Sequence, residues 1–135
     1  MNPDTIRNWT IKAEHDYKIG LNEFRSEKPV TDMICFHMQQ CAEKYLKAYL
    51  AYNDIEINKT HDLAVLLKDC MAVDDSFRVL LDRKVPMLTP YGTVIRYPDD
   101  FYMPTLKETE EAISLAEVVR DFVREKFKST GFKLE

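Results

Sequence analysis

The chain has 135 residues, a net charge of −4, and 45% hydrophobic and 31% charged residues. That is enough chain for one ordinary domain with a core, and it excludes a disordered tail. The acidic balance argues against a surface coated with positive charge for grasping nucleic acid nonspecifically, although it leaves room for a local basic patch.

The pattern predicts helix nearly throughout. A first helix spans about Thr5 to Phe24, where Trp9, Ala13, Asp16, Tyr17, Gly20, Leu21 and Phe24 recur at three- and four-residue steps and share a face. Asp16 is the polar exception on that face. The stretch RSEKP ends the helix, because Pro29 disfavours helical geometry in the residue before it. A second helix spans about Thr31 to Tyr52. Its apolar residues, including Ile34, Met38, Cys41, Ala42, Tyr45, Leu46, Tyr49 and Leu50, cover well over half of a helical wheel. A solvent-facing helix needs a stripe of only about 100°. This helix is therefore expected to be covered on two sides, by its own bundle and by a second chain. His37, Gln40, Lys44 and Lys47 occupy the remaining sector as one polar ridge, with Gln39 and Glu43 at its edge.

A loop, NDIEINKTHDL, leads to a third helix with Thr60 as the expected N-cap and Leu63, Leu66, Leu67 and Cys70 as its apolar face. A fourth, shorter helix is expected from about Asp75 to Lys84, ending at Pro86. The stretch MLTPYGTVIRYPDDFYMP is irregular because Pro86, Pro90, Pro98 and Pro104 forbid a long element. It is nevertheless rich in Tyr91, Tyr97, Phe101 and Tyr102, so it is expected to pack against something. A long last helix begins with Thr105 and Glu108 as a capping box, and Ser129-Thr130-Gly131 ends it. The sum is an all-α, antiparallel up-and-down four-helix bundle with one extra short helix, forming a single domain over residues 1–135.

Several classes of chemistry are disfavoured. Cys35, Cys41 and Cys70 form no CxxC pair and give neither a disulfide framework nor a zinc signature. No two histidines have metal-ligand spacing on one face, so neither metal nor cofactor is expected. The three glycines, Gly20, Gly92 and Gly131, build no phosphate-binding glycine loop. The N-terminus carries no signal-peptide pattern, and no apolar run approaches the roughly 20 residues that span a bilayer. A reduced, cytoplasmic setting away from membranes is the expectation.

The strings FHMQQCAEKYLKAYL, THDLAVLL and YGTVIRYPDDF, in that order and spacing, resemble the HEPN (higher eukaryotes and prokaryotes nucleotide-binding) domain family. The resemblance covers nearly the whole chain and implies an antiparallel four-helix bundle that is usually a homodimer. It also implies one of two activities. Some members are metal-independent RNases, often toxins, that carry an Arg followed four to six residues later by a His near the start of the last helix. Others lack the pair, bind nucleotides or RNA, and often work beside a small nucleotidyltransferase.

Arg96 matches the arginine, but Tyr97 to Pro104 contain no histidine, and Tyr102 stands about where it would fall. A tyrosine with an ordinary pKa near 10 is a poor base at neutral pH. His15 is expected to be an exposed surface residue and His61 a hydrogen-bonding residue of its own turn. The ridge on the second helix has two readings, a solvated stripe or one wall of a cleft. In the second, Lys44 and Lys47 hold a phosphate, Arg96 approaches from the loop, and Tyr97 and Tyr102 stack a base, with His37 and Gln40 beside them. Arg96 also has a structural reading, paired with Asp99, Asp100 or Glu43. The expectation is thus a homodimeric nucleotide- or RNA-binding domain with no catalytic residue, partnered by a nucleotidyltransferase. The alternatives are a metal-independent RNase that uses Arg96 with a substitute base, and a dimerising adaptor without a ligand. Tyr45, Tyr49 or the 91–102 loop are expected to contribute dimer contacts.

Overall fold

A computed structural model describes residues 1–93 and 98–135. Among the described residues the regular structure is all helical: α1 Pro3–Phe24, α2 Thr31–Tyr52, α3 Leu63–Val73, α4 Arg78–Asp82, α5 Thr89–Gly92 and α6 Leu106–Thr130. Three 3-10 turns, Asp75–Phe77, Val85–Leu88 and Pro98–Asp100, link the shorter pieces. The expected helix from 75 to 84 is thus broken into a turn and α4, and the proline-rich segment after it holds α5 as well as irregular chain.

Local chemistry sets the helix ends. The Asn2 side chain accepts from the backbone N–H groups of Asp4 and Thr5 at 3.0 and 3.3 Å, with Pro3 at the first helical position. The cap of α3 is Asp62 rather than Thr60: Asp62 Oδ1 accepts from Ala64 N at 2.9 Å, while Thr60 Oγ1 accepts from Asp62 N one step earlier. The Thr105–Glu108 capping box forms at the start of α6, and Gly131 closes that helix at φ 82°, a left-handed position that suits glycine.

α2 is the axis of the bundle. It packs along α1 on one side and α6 on another, while α3 and α5 close a third. α1 and α2 form an antiparallel hairpin. α6 points the same way as α2, since Cys35 meets Thr109 near both N-termini and Tyr52 meets Phe127 near both C-termini. That is how the second and fourth helices of an up-and-down bundle run. The C-terminal end of α2 is an aromatic cluster in which the Tyr49 ring lies 4.5 Å from Phe77 and Phe77 lies 4.8 Å from Phe122.

One expectation is overturned here. The chain's own helices cover the wide apolar arc of α2, because α3 and α5 pack where a plain helix pair would leave it open. Tyr45 is fully buried and Tyr49 is 7% exposed, so neither is available to a second chain. The exposed apolar side chains lie elsewhere. Phe101 is 75% exposed, and Tyr102, Met103 and Leu106 follow it at the entry to α6. No helix among the described residues is long and apolar enough to cross a membrane.

Candidate functional site

The polar residues of α2 do not form one stripe. They divide between two buried carboxylates. Asp16, on the inner face of α1, takes His37 Nδ1 at 2.8 Å on one oxygen and Lys44 Nζ at 2.6 Å on the other. Glu43, on α2 itself, takes Lys47 Nζ at 2.8 Å on one oxygen and His61 Nδ1 at 2.7 Å on the other. Each carboxylate therefore holds one histidine and one lysine. The periodicity explains why they meet: positions 43 and 47 are one turn apart, and Asp16 faces α2 from the same register as Ala13 and Gly20.

Burial orders the two groups. The Glu43 and Lys47 side chains are only 4% and 8% exposed, whereas Lys44 and His37 are 22% and 21% exposed. Burial alone would raise the pKa of Glu43, but hydrogen bonds from Lys47, His61 and Gln39 outweigh it and hold the carboxyl below its ordinary value. Asp16 is held below its ordinary value in the same way: burial opposes, and His37 and Lys44 prevail. Gln39 completes the inner group, donating to Glu43 Oε1 at 3.1 Å and to the His61 carbonyl at 3.0 Å, and accepting from Gln40 Nε2 at 2.7 Å. Gly92 at the end of α5 lies directly on Gln39, and a Cβ there would collide with the amide. Lys47 Nζ also sits 5.7 Å from the centre of the Trp9 ring.

His37, Gln40, Lys44 and Lys47 are thus all on one side of α2, but Lys47 is buried against Glu43 rather than solvated. His61 was expected to bond within its turn; its ring reaches across to Glu43 instead. His15 is exposed as expected. Tyr102 is exposed and donates its hydroxyl to Glu108 at 2.6 Å, a bond to a carboxylate that raises its pKa and makes it a still poorer base. Arg96 and Tyr97 lie outside the described residues. Burial pushes the Cys35 thiol up to about 11 and raises those of Cys41 and Cys70, so none is a ready nucleophile. Among the described residues no group of His, Cys, Asp and Glu has the arrangement of a metal site.

The sequence reading missed a third cluster. Arg120 grips Glu14 with two hydrogen bonds of 2.7 Å, Tyr45 donates to the same carboxylate at 2.7 Å, and Arg124 donates to the Tyr45 hydroxyl at 3.2 Å. It clamps α1, α2 and α6 together. Its one sequence signal was the spacing of Arg120 and Arg124 on a helix, which does not reveal a partner on α1.

The described residues form an all-helical bundle whose largely buried second helix meets two carboxylates, each holding one histidine and one lysine. The HEPN domain family matches residues 6–126. A relative from Methanocaldococcus jannaschii, named "Putative toxin MJ1304", is 28% identical over 110 residues, which are 68% of this chain and 72% of the relative. The crystal structure of ST0689, an archaeal HEPN homologue, is similar with a TM-score of 0.69 and 26% identity, covering 90% of this chain and 96% of that one. The chain belongs to the HEPN domain family.

The two carboxylates give an acid-dependent stability with a defined sign. Their folded pKa values lie below the unfolded ones, so the stabilisation is complete above the ordinary carboxylate range, about pH 4, and is lost as pH falls through the folded values. Urea midpoints measured from pH 7 to pH 3 are expected to stay level and then drop, with a smaller drop in Glu43→Gln. An unchanged acid limb in that variant would show that Glu43 is not one of its sources. Lys47→Ala strands a buried carboxylate and is expected to cost about 3–5 kcal/mol, against about 1–3 kcal/mol for Lys44→Ala.

Proposed function

We propose that this chain is a nucleotide- or RNA-binding HEPN domain, homodimeric and paired with a nucleotidyltransferase, whose ligand-contacting side chains are His37, Gln40, Lys44 and Lys47 on α2 with Arg96, Tyr97 and Tyr102 from the loop before α6, the cations facing phosphate and the two tyrosines a base. The observation that carries this reading is the doubled acid–histidine–lysine arrangement around α2. Lys44 has three ammonium donors and Asp16 occupies one of them. It therefore keeps donors for a phosphate while the carboxylate holds it in place. His37 and His61 each present a second ring nitrogen beyond the one engaged by its carboxylate. Lys47 is more deeply set and supports the site through Glu43. Arg96 brings a planar fork that grips phosphate with two hydrogen bonds, where an ammonium acts as a point charge.

Binding by such charges weakens as salt rises, because contact with phosphate releases counterions and salt screens the attraction over about 8–10 Å. Titration of a nucleotide or short RNA at two salt concentrations is expected to show this. Lys44→Ala and Arg96→Ala should each weaken binding by about 1–3 kcal/mol, Arg96→Ala more, with folding followed by circular dichroism. If wild type binds and these variants bind equally well, the α2 residues are structural only. An Arg96→Ala variant that unfolds would instead assign Arg96 to holding its loop.

The dimer rests on the exposed apolar entry to α6. Phe101, Met103 and Leu106 are 75%, 47% and 56% exposed in the single chain, adjacent apolar surface that a second copy would cover. Light scattering at micromolar concentration is expected to give about twice 15.9 kDa, and Phe101→Asp with Leu106→Glu to give the single-chain mass. A wild-type monomer would remove this part of the proposal. Co-expression with the reading frame beside its gene, when that frame encodes a nucleotidyltransferase, tests the partner directly: co-elution at fixed stoichiometry supports it.

A second reading is favoured by one observation. The HEPN RNase pattern lacks its histidine after Arg96, but His61 is 55% exposed at its side chain and is held through Nδ1 by the buried Glu43 carboxylate. A histidine oriented in that way is the usual form of a general base. On this reading His61 takes the proton from a ribose 2′-hydroxyl as the 2′-oxygen attacks phosphorus, giving a 2′,3′-cyclic phosphate, and the bond to the 5′-oxygen breaks as that oxygen takes a proton from water. Cleavage of single-stranded RNA in chelator, lost in His61→Ala and reduced in Glu43→Gln with binding retained, would establish it. Binding without cleavage in wild type leaves the first reading alone.

A further inference from the structure

We infer that the cavity between the C-terminal end of α1 and the N-terminal end of α2 is a nucleobase subsite, resting on the reading that α2 holds a nucleotide phosphate. The cavity has a volume of about 420 Å³. That falls within the usual range for small-molecule sites, about 300–1,000 Å³. Its walls are the apolar side chains of Ile19, Val30, Met33 and Ile34, and its polar rim is Asn22, Glu23 and His37.

Three features point to a flat heteroaromatic ring. The walls come from two different helices and the turn between them, so they form a cleft rather than a single apolar face. The cleft is fixed in shape: Glu23 Oε2 accepts from Val30 N at 3.0 Å and from Ser26 Oγ at 3.0 Å, tying the 25–30 turn to the end of α1. The polar rim is unequal. Glu23 is engaged by that turn and His37 by Asp16, whereas the Asn22 amide makes no hydrogen bond among the described residues. An amide offers both a donor pair and an acceptor, which matches the edge of a base.

Continuity decides the occupant. His37 lines the cavity and also bonds Asp16, whose other oxygen holds Lys44. The His37 ring and the Lys44 ammonium end on the two oxygens of one carboxylate, so the rim of the cavity and the ammonium are neighbours. A nucleotide laid along the helix would place its base in the cavity, its ribose past His37 and its phosphate at Lys44. An apolar peptide side chain would fill the cavity but make no use of the ammonium donors that Lys44 keeps beyond its bond to Asp16.

The test compares each ligand with its base-free counterpart on the full chain: adenosine 5′-monophosphate against ribose 5-phosphate, and an RNA hexamer against an abasic hexamer. Calorimetric titration of wild type is expected to show at least tenfold tighter binding of the base-bearing ligand. Val30→Trp, which fills the cavity from a half-exposed position, should reduce that preference to about twofold or less, and Asn22→Ala should reduce it severalfold while leaving the base-free ligand unaffected. Equal affinity for both members of a pair, or a preference that survives Val30→Trp, overturns the subsite while leaving phosphate binding at α2 intact. Failure of all four ligands to bind overturns the nucleotide reading itself, and the subsite with it.

Discussion

The burial of most of α2 is the constraint from which the rest follows. A helix enclosed by α1, α3, α5 and α6 over most of its length cannot send Glu43 and Lys47 fully to water, so these charges find partners inside the chain. Glu43, with its side chain 4% exposed, would be costly to hold as a lone charge. It is stabilised by a lysine one turn along its own helix, a histidine from the α2–α3 loop and a glutamine amide. Those partners in turn fix where the loop and α5 can lie. The same logic brings Asp16 of α1 to Lys44 and His37, and Glu14 of α1 to Arg120 of α6. The bundle is registered by three carboxylates, each placed where a purely apolar seam would allow neighbouring helices to slide.

The order of the long helices and the cap of the last one were legible because they depend on local chemistry. Three- and four-residue periodicity located α1, α2 and α6, and the Thr105–Glu108 box marked the start of the last of these. Legibility failed where the answer depended on a distant partner. Thr60 looked like the cap of α3 because it is a good capping residue, yet Asp62, two residues on, had the geometry. The arc of α2 suggested a second chain because periodicity reports that a face is covered without saying by what. The short α5 and the turns around Pro86 and Pro90, hidden in a segment without periodicity, supply that cover.

The candidate site was legible as a set of residues but not as an arrangement. His37, Gln40, Lys44 and Lys47 do share a side of α2, as their spacing required. Their division between Asp16 and Glu43 was not visible, since one carboxylate is 28 residues from its lysine and the other is only four. Asp16 did signal itself as the one polar residue on the inner face of α1. His61 gave no such signal, because a histidine beside a helix start has an ordinary local explanation. Only the fold brings its ring to Glu43.

Gly92 shows how the site and the loop before α6 are joined. Its lack of a side chain lets α5 lie directly on the Gln39 amide, which bonds both Glu43 and the backbone of His61. Leu63 N donates to Thr89 Oγ1 at 3.1 Å, tying the start of α3 to the start of α5. The chain that leads to Arg96 therefore leaves from a point fixed against the inner acid–histidine–lysine group. A ligand that moved Gln39 would disturb Glu43, His61 and the departure of that loop together. Conversely, anything that drew the loop away would remove the contact that keeps Gln39 in place. One amide side chain thus joins the Glu43 group, the backbone of His61 and the end of α5.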